Sequence, residues 1–179
     1  FKILQKKNFI NNNKKIKLFN NALGEKSNQK FLNILVDSSS STLNNLNEDS
    51  VYFKRKKFLL NPFKKNSNIF KKKIITNVIK SSSFFKKNSL FDVDILKIDT
   101  EGYEFNVLLG LSATNFHNIK YIYFEHHYDL MLEKNYNFSD INNLLNNNNF
   151  NLVFKIKMRC RKTFEYIYEN KRFSQYYYR

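Results

Sequence analysis

Glycine, proline, cysteine and tryptophan are nearly missing from this chain. Its 179 residues hold three glycines, one proline, one cysteine and no tryptophan. The lone cysteine, Cys160, excludes an internal disulfide framework and any cysteine-rich zinc site. No uninterrupted apolar stretch nears the roughly 20 residues needed to cross a bilayer. No signal-peptide pattern follows Phe1. The chain therefore reads as a cytoplasmic domain that begins partway through something larger. Acidic residues are also few, 15 Asp+Glu against 31 Lys+Arg, for a net charge of +16.

What the chain has instead is Asn, Lys, Ile, Phe, Tyr and Leu, residues with A/T-rich codons. A genome poor in G and C accounts for that bias and for much of the charge. The lysines are scattered in short runs, such as Lys6-Lys7, Lys14-Lys15 and Lys71 to Lys73. Arginine, the residue suited to bidentate phosphate contacts, is sparse and gathers near Arg159, Arg161 and Arg172. Solvated lysine faces are the expected reading, and a nucleic-acid partner is not expected. A basic α/β module that binds nucleic acid or another polyanion stays as an alternative. The 42% hydrophobic and 17% aromatic fractions exclude a wholly disordered chain. The length suits one domain that buries roughly 70% of its unfolded surface.

Hydrophobic periodicity places the elements. Phe1 to Phe9 reads as the end of a helix, Lys15 to Phe19 as a strand and Phe31 to Val36 as another. The Asn runs at 11–13 and 146–149 read as loop. The basic stretch 48–70 holds Pro62, has no clean period and predicts an irregular excursion. Ile74 to Ile79 predicts a strand, and Ser81 to Lys87 a short helix or turn. Val93 to Asp99 is a nearly continuous apolar run, as in a buried parallel strand. A helix follows from about Tyr103, with Val107, Leu108 and Leu111 on one face. Lys120 to Glu125 is a second strand of the same kind, and His117 falls in a turn. Ser139 suits the N-cap of a helix that turns Ile141, Leu144 and Leu145 inward. Asn151 to Met158 and Thr163 to Tyr168 predict an antiparallel hairpin. The alternation predicts α/β layers around a mostly parallel sheet, in one domain over residues 1–179.

In an open parallel sheet, chemistry sits past the carboxyl ends of the strands. Three such ends are polar: Asn20 to Gly24, Lys97 to Glu104 and Glu125 to Asp129. If the Val93 strand stays extended, Lys97, Asp99 and Glu101 share one side. Two carboxylates there can hold a cation, orient a hydroxyl or serve as a base. Lys97 is expected to pair with Glu101. Gly24 reads as a turn glycine, whereas Gly102, inside the acidic cluster, points to function. Adjacent His126 and His127 point to opposite sides of an extended segment, so at most one faces a site. A metal-dependent hydrolase built on Asp99, Glu101 and His126 is a second enzymatic alternative.

The run Leu96-Lys97-Ile98-Asp99-Thr100-Glu101-Gly102-Tyr103-Glu104, followed by Val107-Leu108-Leu109-Gly110, resembles the signature of FkbM-type methyltransferases. Asn21-Ala22-Leu23-Gly24, Ser38 to Ser41, the Ile74 strand and Ile122 to Glu125 fall in that family's order. The resemblance implies a Rossmann-like class I methyltransferase sheet, mostly parallel with a C-terminal antiparallel hairpin. It implies S-adenosylmethionine as methyl donor and O-methylation of a hydroxyl on a sugar, glycan, polyketide or similar small metabolite. It places Asn21 and Ala22 near the cofactor's adenine. It places Asp99 and Glu101 beside the methyl group and the acceptor hydroxyl, with or without a divalent cation, and Glu125 and His126 at the acceptor pocket. The family's first two strands, with their glycine-rich turn and ribose-holding acid, have no counterpart here. The resemblance thus implies a partial domain, inactive by itself. Its sheet should have a gap, apolar surface should be exposed beside the Val93 strand, and the missing strands should be encoded upstream of Phe1.

Overall fold

The computed structural model describes residues 15–35, 41–60, 70–159 and 162–174. The helix expected at Phe1 to Phe9, the Asn run at 11–13, Ser38 to Ser40, Pro62 and Cys160 lie outside the described residues. Among the described residues the chain begins with β1 (Ala22–Gly24), β2 (Asn28–Leu35), α1 (Val51–Leu60), β3 (Phe70–Lys80) and α2 (Ser81–Lys87). It continues through β4 (Val93–Ile98), α3 (Glu104–Leu109), α4 (Ala113–Asn118) and β5 (Ile119–His127). It ends with α5 (Phe138–Asn147), β6 (Phe150–Lys157), β7 (Thr163–Asn170) and α6 (Lys171–Ser174).

The class is α/β, and the sheet comes in two pieces, ordered β1-β3-β2 and β4-β5-β7-β6. β1 runs parallel to β3, and β4 parallel to β5. The pairs β2/β3, β5/β7 and β6/β7 are antiparallel. The predicted C-terminal hairpin is there, but the sheet is not mostly parallel, because β2 also returns antiparallel along β3. Among the described residues β1 and β4 belong to different sheets, and no strand joins them, as the expected gap requires.

Five local expectations need correction. The Asn run at 146–149 is not all loop: Asn146 and Asn147 are the last residues of α5, and only Asn148 and Asn149 leave the helix. Lys15 to Phe19 is no strand; the ladder begins at Ala22 opposite Val78, and a strand needs a partner. Within the stretch 48–70, residues 51–60 form a regular helix. Its Lys, Arg and Leu side chains are good helix formers. The Ser50 hydroxyl caps it by accepting from the Phe53 N–H at 3.2 Å, and Phe53 packs against Leu35, Met131 and Leu132. His117 lies in α4, not in a turn, because Ser112 and Asn115 form a capping box that starts a helix there. The cap of α5 is Asn137, not Ser139. Asn137 is extended and accepts from Ser139 and Asp140 N–H at 2.7 and 3.3 Å, while Ser139 is already helical.

The core forms on one face of the larger sheet. Side chains alternate along β5, so Ile122, Phe124 and His126 turn inward. Tyr166 and Tyr168 of β7 stack on Phe124 at 5.5 and 5.8 Å. Ile141 and Leu145, one helical turn apart in α5, close that layer and are fully buried. The opposite face is open. Ile95, Tyr121, Tyr123, Val153, Phe154 and Ile167 line an apolar trough of about 400 Å³ there. Ile95 is 63% exposed, so apolar surface beside the Val93 strand is present as expected. Among the described residues no helix is long and apolar enough to cross a membrane.

The smaller sheet is locked to the larger one through α3. A Cβ on Gly110, which caps α3, would stand 2.0 Å from the Gly24 carbonyl oxygen and 2.8 Å from Ser81 Oγ. Ser81 Oγ donates to the Val107 carbonyl at 2.7 Å, and Ser82 N–H to the Gly110 carbonyl at 2.8 Å. Gly24 is therefore more than a turn residue: its backbone is the surface on which α3 rests. Gly110→Ala must push backbone against backbone, which no rotamer change relieves. It should cost about 3 kcal/mol, measured as a lowered midpoint in thermal or urea unfolding. A midpoint equal to wild type would mean that the two sheets do not meet here.

Candidate active site

The β4 strand stops at Ile98, so the extended tip on which two carboxylates would share a side does not form. Glu101 has φ 51° and Gly102 φ 92°, two consecutive left-handed residues. For a glutamate this conformation costs about 1–2 kcal/mol, and the surroundings hold it. Thr42 Oγ1 donates to the Glu101 carbonyl at 2.7 Å, and Asn44 Nδ2 to the Gly102 carbonyl at 2.5 Å. Below the turn lies the fully buried Glu104. Its Oε1 accepts from Gly102 N–H at 2.9 Å, Thr100 Oγ1 at 2.9 Å and Thr100 N–H at 3.3 Å. Its Oε2 accepts from the Tyr136 hydroxyl at 2.9 Å. Gly102 is required twice over, by its φ and because a Cβ would lie 2.7 Å from Leu132 Cδ1.

The turn sends its two acids apart. Asp99 is half exposed and pairs with Lys97 at 3.4 Å; the lysine's expected partner, Glu101, is not the one it meets. Asp99 lines a cleft of about 350 Å³ between the tips of β1 and β4, together with Asn21, Ala22, Leu43, Thr100 and Tyr103. A second cleft of about 570 Å³ shares Asn21, Ala22, Leu43 and Thr100 and adds Ser41 and Thr42. Glu101 instead meets His127: Oε2 stands 3.3 Å from Nε2. Glu125 Oε1 stands 3.4 Å from the same nitrogen. On the other side of the ring, Nδ1 lies 3.5 Å from Asp129 Oδ2 and 3.3 Å from Thr163 Oγ1. Lys134 Nζ donates to the His127 carbonyl oxygen.

Electrostatics follow this crowding. Burial works to lower the His127 pKa, but close contact with Asp129 and the charges of Glu101, Asp129 and Glu125 outweigh it and raise it. Burial works to raise the Asp129 pKa, and His127, the Met131 N–H and Lys134 lower it instead. The Lys134 pKa is lowered by burial, against the pull of Glu104 and Asp129. Tyr123, beside this group on β5, is pushed up to about 12 by burial, by its hydrogen bond to Glu165 and by nearby Asp99 and Glu125.

His126 takes no part in this cluster. It points to the core side of β5, 2% exposed, against the rings of Tyr128, Tyr136 and Phe138. Burial, with Lys134 and His127 nearby, lowers its pKa to about 3. Of the residues singled out from the sequence, Asn21, Ala22 and Asp99 share a cleft, Glu101 and Glu125 gather around His127, and His126 stands apart. Among the described residues no group of three or more His, Cys, Asp or Glu side chains could hold a metal ion. The divalent cation and the metal-dependent hydrolase lose their ligand set, because the turn at Glu101 separates it from Asp99 and the alternation of β5 takes His126 inside. Glu104 belongs to the polar run after β4, but its place beneath the turn has little sequence signal: no period marks it, and it shows only as an acid in the first turn of a helix that follows a glycine.

No curated protein and no solved structure matches the chain. The sequence model of the methyltransferase FkbM domain matches residues 3–152, a span that contains both clefts, the Glu101 turn and His127. On that match the chain belongs to the FkbM methyltransferase family.

Proposed function

We propose that this chain belongs to an S-adenosylmethionine-dependent O-methyltransferase that acts on a hydroxyl of a sugar, polyketide or similar small metabolite. One observation carries the reading. A single four-residue turn directs Asp99 into the cleft shared with Asn21 and Ala22, and Glu101 to a half-enclosed group of acids around His127.

The cleft's lining fits the nucleoside end of such a cofactor. Ala22, Leu43 and Tyr103 offer apolar walls to a flat base, while Asn21 and Thr100 offer polar edges and Asp99 a carboxylate for hydroxyl groups. When bound, the cofactor supplies an electrophilic methyl group on a sulfonium sulfur. The chain's own work is to orient the acceptor and relieve its hydroxyl of a proton. Glu101 is the proton acceptor in this reading: its side chain is 14% exposed, enough to meet a substrate, and its backbone is fixed. Asp99 helps to orient the reactants from the cleft side. Glu125 borders the acceptor side with His127, and His126 is left to packing.

The test is transfer of labelled methyl from S-adenosylmethionine to a panel of hydroxylated sugars and polyketides, by the chain joined to the glycine-rich first strands that the family resemblance places upstream of Phe1. Turnover is expected on at least one acceptor class. Asp99→Asn and Glu101→Gln should each lower kcat by about 10²–10⁴-fold with unfolding midpoints near wild type. Unchanged turnover in both variants would remove the assignment.

A further inference from the structure

His127 is held more firmly than a surface histidine needs to be. It lies directly opposite Thr163 in the β5/β7 ladder, so backbone register sets the Thr163 Oγ1 contact with Nδ1. Asp129, whose side chain is 2% exposed, reaches the same nitrogen and is itself fixed by the Met131 N–H on Oδ1 at 3.0 Å. Nε2 then faces Glu101 at 3.3 Å and Glu125 at 3.4 Å. A neutral ring could donate from Nε2 and accept the Thr163 O–H at Nδ1, but its lone pair would then also face Asp129 Oδ2, whereas an imidazolium presents a proton to the acids on both sides. The charged groups that face the ring are Glu101 from the turn, Glu125 from β5, and Asp129 and Lys134 from the segment after it. β7 contributes the neutral Thr163.

We propose that His127 is the positioning residue of Glu101. Anchored at Nδ1 by the Thr163 hydroxyl and the charge of Asp129, it holds Oε2 of Glu101 through Nε2–H and so fixes the carboxylate that takes the acceptor's proton. The last clause rests on the methyltransferase reading; the coupling between the two side chains does not. The strained backbone at Glu101 agrees with this role, since φ 51° is retained where the side chain must meet a fixed partner. The acceptor's O–H bond breaks and its proton goes to Glu101, the acceptor oxygen bonds the methyl carbon as the donor's carbon–sulfur bond breaks and sulfur keeps the electron pair, and the imidazolium stays protonated throughout.

The experiment has two arms on the same protein. In the first, NMR follows the His127 ring across pH in wild type, Glu101→Gln and Asp129→Asn. The wild-type midpoint should lie above that of free histidine and fall in both variants. A wild-type midpoint at or below free histidine overturns the proposal without any variant having to fold. A midpoint that Glu101→Gln leaves in place overturns it as well. In the second arm, His127→Gln should lower kcat for methyl transfer about 10- to 100-fold with acceptor KM nearly unchanged. The wild-type rate should fall as pH rises through the His127 midpoint, and that limb should vanish in His127→Gln. A loss confined to KM, or a limb that persists, overturns the proposal. If the ring couples to Glu101 as expected and the wild type, with the upstream strands present, transfers no methyl to any acceptor, the coupling is upheld and the methyltransferase reading is what fails.

Discussion

Glu104→Ala is expected to lower the unfolding free energy by about 3–5 kcal/mol. Domains of this size have about 5–15 kcal/mol in total, so the variant would stand near the limit of folding. The carboxylate is fully buried and accepts from four donors, of which Thr100 supplies two. Alanine leaves the Gly102 N–H and both Thr100 donors without that acceptor, and opens a void beside Tyr136. Burial and Glu104 together hold the Tyr136 hydroxyl well above its ordinary pKa, so it remains a donor. Glu104→Gln should cost only about 1 kcal/mol. Its amide oxygen still serves Gly102 and Thr100. Its Nε2 can donate to the Tyr136 oxygen, whose own hydrogen turns to the Gly102 carbonyl 2.9 Å away. Urea unfolding at neutral pH separates the two variants as a shift in midpoint at constant slope. Equal midpoints for Ala and Gln would mean that Thr42 and Asn44 hold the turn without Glu104. Because the same turn carries Asp99 and Glu101, the alanine variant should also lose methyl transfer.

Stability should peak near pH 6.5 and fall on both sides, for opposite reasons at adjacent residues. His126 is held down to about 3, so between pH 6.5 and that value the unfolded chain binds a proton that the folded chain refuses. Stability then falls as pH falls, by about 3 kcal/mol between pH 6.5 and 4. His127 is raised, so its contribution is complete below pH 6.5 and is lost as pH climbs through its folded value. Asp129 is lowered, so its contribution is lost only as pH falls below the ordinary carboxylate range, outside the window that isolates His126. His126→Phe, set among Tyr128, Tyr136 and Phe138, should flatten the limb from pH 6.5 to 4 whatever its effect at neutral pH. The comparison is between slopes, so the repacking cost drops out. An acid limb as steep in His126→Phe as in wild type would assign it to other groups.

Much of the architecture follows from local pattern. Val93 to Ile98 and Ile119 to His127 are strands because their apolar residues leave no helical face, and Phe150 to Asn170 doubles back around a polar turn. The start of α5 is two residues earlier than the lone Ser139 suggests, because Asn137 and Asp140 have the spacing of a capping box, a stronger local signal. Lys15 to Phe19 misled because alternation marks a segment able to be a strand, not one with a partner to pair with. The two histidines show the same limit. Alternation alone separates them onto opposite faces, and nothing local says which face carries the acids.

The acidic turn is where sequence and structure divide most clearly. The run from Leu96 to Glu104, which holds one of the chain's three glycines, carries the family resemblance and the proposed site in its residues alone. Strand and helix periods arise between near neighbours, so the sequence by itself determined most of the elements and the family, and it singled out the acidic run proposed as the site. It did not settle that Asp99 faces a cleft with Ala22, that Glu101 meets His127, or that Glu104 lies beneath both. Those contacts depend on two positive φ angles, on the β5/β7 register and on Thr42, Asn44 and Tyr136 arriving from distant parts of the chain. Only the folded chain brings them together, because each contact is stable only once the others have fixed its geometry.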